Sequence, residues 1–93
     1  ESPSFEIIRH LEELGANVKV FDPYVKDKST VSSLEEALEE TDAVVIATDH
    51  REFTRLSPQE FISNNVGVIV DGRNCLNEEP FVSSGIVYKS IGR

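Results

Sequence analysis

The sequence predicts an α/β domain, a three-layer Rossmann-like fold with a mostly parallel sheet and its opening strand missing. Three observations carry this reading. Segments with helical and with strand character alternate along the whole chain, which is the mark of a parallel sheet with helices on both faces. Two short runs, Ala43–Ala47 and Val66–Val70, are almost unbroken in apolar residues, as suits strands buried on both faces. And the first element is a helix, where a chain of this class usually opens on a strand in the middle of the sheet.

Ser2-Pro3 reads as a helix start, because serine caps free N–H groups and proline at the first helical position loses no hydrogen bond. Ile7, Ile8, Leu11 and Leu14 recur at spacings of three and four and give one apolar face. Gly15 accepts positive φ without strain and stops the helix, which spans about Pro3 to Leu14. Val18–Phe21 is β-rich and reads as a strand ended by Asp22-Pro23. Lys26 to Thr30 is polar loop. Ser32-Ser33-Leu34-Glu35 matches a capping box, with Leu34, Ala37 and Leu38 as the stripe of a helix ending near Glu40. Ala43–Ala47 is the next strand. Ser57-Pro58-Gln59-Glu60 is a second capping box, leading Phe61 and Ile62 into a short helix. After Val66–Val70 the chain turns at Asp71-Gly72-Arg73-Asn74. Phe81 lies on a short helix or loop, and Ile86-Val87-Tyr88 is the last strand before Gly92-Arg93.

Ninety-three residues suffice for one domain, residues 1–93, and not for two. Acidic residues outnumber basic ones 17 to 9, for a net charge of −8. That balance argues against nucleic acid as a partner, whose phosphates need Lys and Arg to replace counterions. It leaves room for a single nucleotide held by one or two local cations. One cysteine, Cys75, allows no intrachain disulfide and is compatible with a cytoplasmic location. No apolar run approaches the ~20 residues of a membrane span, and no signal-peptide pattern opens the chain.

In open parallel sheets, ligands bind beyond the carboxyl ends of the strands. Asp22-Pro23-Tyr24, Thr48-Asp49-His50 and Asp71-Gly72-Arg73-Asn74 fall there. In the last of these, Gly72 permits a tight turn or a close ligand approach. Arg73 offers a planar fork of donors suited to phosphate or a base carbonyl. Asp71, Gly72 and Arg73 are therefore candidate substrate-binding residues, against the plainer reading that Asp71 and Arg73 form a local ion pair. His50 is a further candidate, against a role bonding a neighbouring loop, and His10 reads as a surface residue. Asp22 follows a strand as a ribose-reading acid would, but no G-x-G-x-x-G precedes it, so it reads as the cap of its own turn. Cys75 has no base near it in sequence, and no Cys/His cluster has metal-ligand spacing. The glutamate pairs read as solvated surface. No catalytic, cofactor-binding or metal-binding residue is assigned to this chain.

The motifs also resemble a known family. Glu1-Ser2-Pro3-Ser4, the helix to Leu14-Gly15-Ala16 and Val18 to Pro23 resemble R-E-S-P-(A/S), helix, G-A-x-V, (Y/F)-D-P. Ser33 to Leu38 and Thr41 to Ile46 resemble S-L-E-E-A-L and x-D-A-V-V-I. Thr48 to Phe53 resembles T-x-H-x-x-F, Val70 to Asn74 resembles V-D-G-R-N, and Tyr88 to Gly92 resembles Y-x-x-I-G. This order and spacing are similar to the UDP-sugar branch of the UDP-glucose/GDP-mannose dehydrogenase family, over nearly the whole chain.

The resemblance implies the UDP-sugar-binding C-terminal domain of an NAD-dependent oxidoreductase that oxidises a UDP-hexose C6 alcohol to a uronate, as in polysaccharide biosynthesis. It implies that NAD is bound by an upstream Rossmann domain, that a central helical region makes a homo-oligomer contact, and that an upstream cysteine is the nucleophile, which Cys75 does not match. It implies that Arg73, matching the arginine of D-G-R, contacts the nucleotide-sugar. The family's domain begins with a strand carrying a Phe-Lys pair and an Asp-x-Arg approach, and these are absent before Glu1. A non-catalytic nucleotide-binding or oligomerisation module of the same fold would keep Arg73 too. A phospho-receiver-like domain would need an acidic cluster and a late lysine where Arg73 sits in the wrong turn.

Overall fold

The computed structural model describes residues 3–24 and 26–91. The capping role read for Ser2, and the trailing Gly92-Arg93, lie outside them. The chain divides into two compact units, residues 1–37 and 38–93.

In the first unit, helix α1 spans Pro3–Glu13. Ile7, Ile8 and Leu11 are half-buried along one side, whereas Leu14, read as part of that stripe, is 85% exposed at the helix end. Gly15, at φ 94°, closes the helix as its sequence position requires. The Gly15 N–H bonds to Glu12 O at 3.0 Å and the Ala16 N–H to Leu11 O at 3.0 Å, the paired bonds of a Schellman stop.

Val18–Phe21 is not a strand. Its backbone groups are spent locally: the Val20 N–H donates to Thr30 Oγ1 at 2.9 Å, and Val20 O accepts from the Thr30 N–H at 2.8 Å. The Asp22 N–H donates to Ser29 Oγ at 2.8 Å. A β-prone run becomes a strand only by finding a ladder, and here a folded-back loop with a 3-10 turn at Lys26–Lys28 takes that place. Asp22 caps its own turn as expected, accepting from the Tyr24 N–H at 2.9 Å.

Helix α2 spans Leu34–Leu38. Its capping is displaced by one residue from the expected Ser32–Glu35 box. The Glu36 N–H donates to Ser33 Oγ at 3.0 Å, and the Glu36 carboxylate accepts from the Ser32 N–H and hydroxyl at 3.0 and 2.8 Å. No described residue of the first unit is fully buried.

The second unit holds the core. Strands β1 (Ala43–Ile46), β2 (Val68–Asp71) and β3 (Val87–Ser90) form a parallel sheet in the order β1-β2-β3. Ile46 pairs with Asp71, and Asp71 with Ser90, so the carboxyl ends of all three strands are level. Between them lie α3 (Arg51–Thr54), α4 (Pro58–Ile62) and α5 (Glu78–Ser83). Helix α3 was not legible in the sequence. Helix α4 starts on the expected second capping box: the Glu60 carboxylate accepts from the Ser57 N–H at 2.8 Å, with Pro58 in the first turn.

Ile46, Ile69, Asp71 and Tyr88 share one sheet face and are buried. Phe61 of α4 and Phe81 of α5 cover that face. Phe81 stacks on Tyr88 at 5.7 Å between centroids and meets Phe61 edge-on at 5.6 Å. The opposite face stands open at Val45, Val68 and Val87, which are 39%, 36% and 52% exposed. The expectation that the apolar runs are buried on both faces is therefore corrected. Consecutive valines fit a pleated strand whichever face is covered, and coverage depends on what packs there.

Candidate functional site

The level carboxyl ends of β1 and β2 bring two of the three polar segments side by side. The turn after β2 is built around Asp71. Its side chain is fully buried, and among the described residues no cation pairs with it. Four donors meet its carboxylate instead. Oδ1 accepts from the N–H groups of Arg73 and Cys75 at 3.2 and 3.1 Å. Oδ2 accepts from the Leu76 N–H at 2.9 Å and from the Tyr88 hydroxyl at 2.7 Å. Burial pushes the Asp71 carboxyl up, but the bonds from Leu76, Tyr88, Cys75 and Arg73 outweigh it and hold the group below the ordinary aspartate range. Asp71 is thus the internal frame of the turn.

The turn is tied on both flanks. The Gly72 N–H donates to Ile46 O of β1 at 2.9 Å, and the Ile91 N–H donates to Asp71 O at 3.3 Å. Asn74 Nδ2 donates to Ile91 O, and Asn74 takes φ 56°, a conformation asparagine tolerates. Gly72 is needed for a reason the sequence did not reveal. A Cβ there would meet Ile46 O at 2.9 Å, so it is the neighbouring strand that approaches closely.

Held in this frame, Arg73 projects outward, with about half its side chain exposed. Its guanidinium faces Asp49 rather than Asp71: Nη2 lies 3.7 Å from Asp49 Oδ2. The plainer reading of an Asp71–Arg73 ion pair therefore gives way to a bond between Asp71 and the Arg73 backbone. Asp49 is the partner sequence reasoning missed. The signal was its place just after a buried strand whose neighbour carries Arg73, but strand adjacency is a tertiary fact.

His50 is the N-cap of α3, its Nδ1 accepting from the Glu52 N–H at 3.0 Å and its ring tilted against Phe53 at 5.6 Å. An accepting Nδ1 places the proton of the neutral ring on Nε2. Cys75 sits half-buried beside the same carboxylates. Burial, with the charges of Asp71 and Asp49, pushes its thiol up to about 11, the opposite of an activated nucleophile. Asp22-Pro23-Tyr24 belongs to the first unit.

The arrangement is a parallel α/β domain with an arginine, its backbone N–H bonded to a buried carboxylate, beyond the carboxyl ends of the strands, where open parallel sheets bind ligands. The profile of the UDP-glucose/GDP-mannose dehydrogenase family, UDP binding domain, matches residues 1–78. The chain belongs to this family. It is 37% identical to UDP-N-acetyl-D-mannosamine dehydrogenase of Pyrococcus horikoshii, over 99% of this chain and 21% of that protein. It is 33% identical to UDP-glucose 6-dehydrogenase TuaD of Bacillus subtilis, over 99% of this chain and 22% of that one. Among solved structures it is similar to an NDP-N-acetyl-D-galactosaminuronic acid dehydrogenase of Methanosarcina mazei. There the TM-score is 0.88 at 34% identity, covering 98% of this chain and 20% of the other. The chain thus spans about a fifth of the length of the relatives it matches.

Proposed function

We propose that residues 1–93 are the UDP-sugar-binding, C-terminal portion of an NAD-dependent nucleotide-sugar 6-dehydrogenase. In this reading Arg73 donates to the nucleotide-sugar, with Asp71 and Gly72 holding the turn beneath it and His50 bordering the same edge as the cap of α3. The observation that carries it is the framed, outward-facing Arg73 in a chain that belongs to this family. The Arg73 backbone is fixed by a buried carboxylate, and its half-exposed guanidinium, 3.7 Å from Asp49, can exchange that carboxylate for a phosphate. The two-step oxidation of the C6 alcohol, and the cysteine that would hold its intermediate, belong to other parts of the enzyme.

So does NAD, which would be reduced to NADH as it takes up a hydride in each of the two oxidation steps. The residues of this chain do not fit a dinucleotide pyrophosphate. The turn after β1 has no glycine and the turn after β2 has one, Gly72, so neither carries the G-x-G-x-x-G that a dinucleotide fold uses. NAD, the upstream domains and a homo-oligomeric assembly are therefore assigned to the rest of the polypeptide, which would serve polysaccharide precursor synthesis in the cytoplasm. Among the described residues no helix is long and apolar enough to cross a membrane.

The test is calorimetric titration of UDP into the protein and its Arg73 variants. A charge-assisted hydrogen bond contributes about 1.5–3 kcal/mol. Arg73→Ala is therefore expected to weaken UDP binding roughly ten- to a hundredfold. Arg73→Lys should recover part of the loss. Unchanged UDP affinity in Arg73→Ala would overturn the assignment. The 93 residues alone are expected to make no NADH from NAD and a UDP-sugar.

A further inference from the structure

Tyr88 lies on β3, remote in sequence from the Asp71–Asn74 turn. Cross-strand pairing sets Tyr88 opposite Ile69 and on the same face as Asp71. Its hydroxyl reaches along the sheet to Asp71 Oδ2 at 2.7 Å, the shortest of the four bonds that the carboxylate accepts. Its ring is pinned by stacking on Phe81, which in turn meets Phe61. Among the described residues, Tyr88 is therefore the one donor to Asp71 that comes from outside the segment 71–76. The other three are N–H groups of the turn itself, and they would move with it.

We propose that Tyr88 is a positioning residue for nucleotide binding, transmitting the rigidity of the Phe61–Phe81 core through Asp71 to the backbone of Arg73. This rests on the proposed role of Arg73 and extends it. The geometry gives a consistent chain of contacts: ring on core, hydroxyl on Oδ2, Oδ1 on the Arg73 N–H, and guanidinium outward. Without the hydroxyl, the carboxylate keeps only donors from its own loop. The turn can then shift as a unit against the sheet, and Arg73 pays more entropy to meet an anion.

The groups around Asp71 decide how pH enters. Tyr88 and the N–H groups stabilise its ionised form. The Cys75 thiol faces it as a neutral group. Asp49 and Arg73 lie on the solvent side and are paired with each other. Removing the Tyr88 hydroxyl raises the pH at which Asp71 takes up a proton, and a protonated Asp71 no longer accepts from the full set.

Tyr88→Phe keeps the ring and its stacking, so the test uses that variant in a double-mutant cycle with Arg73→Ala. UDP affinity is measured by calorimetry from acid to neutral pH, and amide exchange at Arg73, Cys75 and Leu76 is measured without nucleotide. The expected result is a loss of UDP affinity of about three- to tenfold in Tyr88→Phe. In that variant the acid fall-off of binding should move to higher pH. In the Arg73→Ala background, Tyr88→Phe should have no further effect, which a merely structural role would not produce. Amide exchange of the turn should quicken in Tyr88→Phe even without nucleotide. Unchanged exchange, or equal losses from Tyr88→Phe with and without Arg73, would overturn the role of Tyr88. If Arg73→Ala alone leaves UDP binding unchanged, it is the assignment of Arg73 that fails, and the exchange measurement still decides whether Tyr88 fixes the turn.

Discussion

Arg73 and Asp49 face each other at 3.7 Å, on turns that leave adjacent parallel strands. Both side chains are more than half exposed, so the pair adds little to stability. Its consequence is for binding. A phosphate approaching Arg73 must displace the Asp49 carboxylate and accept its charge nearby. Asp49→Asn is expected to tighten UDP binding by up to about fivefold at low salt, from an exposed pair of about 0.2–1 kcal/mol. The gain should shrink at high salt as screening grows. Calorimetry at two ionic strengths checks it. Weaker binding in Asp49→Asn would mean that Asp49 positions Arg73 instead of competing for it.

Gly72→Ala should destabilise the protein. The new Cβ would sit 2.9 Å from Ile46 O, a backbone atom inside a paired strand that cannot move aside alone. Overpacking of this kind costs about 1–3 kcal/mol. In a domain of this size that corresponds to a loss of roughly 4 °C or more in Tm. Thermal unfolding followed by circular dichroism measures it. An unchanged Tm would show that the turn after β2 is looser than the bond from Gly72 to Ile46 indicates.

Asp71 makes stability depend on acid. Its carboxyl is held below the ordinary range because its donors outweigh burial. A lowered folded-state value gives stability that is fully present above the unfolded value, near 3.9, and is lost as pH falls through the folded one. Asp71→Asn should remove that dependence and, at neutral pH, cost about 3 kcal/mol, because an amide cannot accept from all four donors. Urea titrations at pH 7 and at about pH 3 test both halves. If the variant loses stability in acid as steeply as the parent, other carboxylates govern the acid limb.

Cys75 should be a slow thiol. With its proton held up to about 11, alkylation by iodoacetamide near pH 8 should run about a hundredfold slower than for a free cysteine of ordinary acidity near 8.5. The rate should keep rising with pH past the point where a free thiol levels off. Cys75→Ser should leave UDP affinity within a few fold. Fast alkylation at neutral pH would mean that burial and the neighbouring carboxylates do not hold the proton on the thiol.

Local chemistry was written legibly in the sequence. Pro3 opening α1, Gly15 closing it, the Ser57–Glu60 box and the turn at Asp71–Asn74 each follow from what one residue does to its own backbone. The apolar runs Ala43–Ala47 and Val66–Val70 announced strands by their β propensity, and the strands stand at Ala43–Ile46 and Val68–Asp71. Val18–Phe21 had equal β character and failed, because a strand also needs a partner, and Thr30 and Ser29 took its hydrogen bonds. At the site, Arg73 could be picked out by its chemistry and its turn. The residues that aim it could not: Asp49 lies on another turn, and Tyr88 on another strand. Only the register of β1, β2 and β3 brings Asp49 to its guanidinium and the Tyr88 hydroxyl to Asp71. Sequence fixes which groups can hydrogen-bond, but residues far apart in the chain become partners only when the sheet sets them side by side.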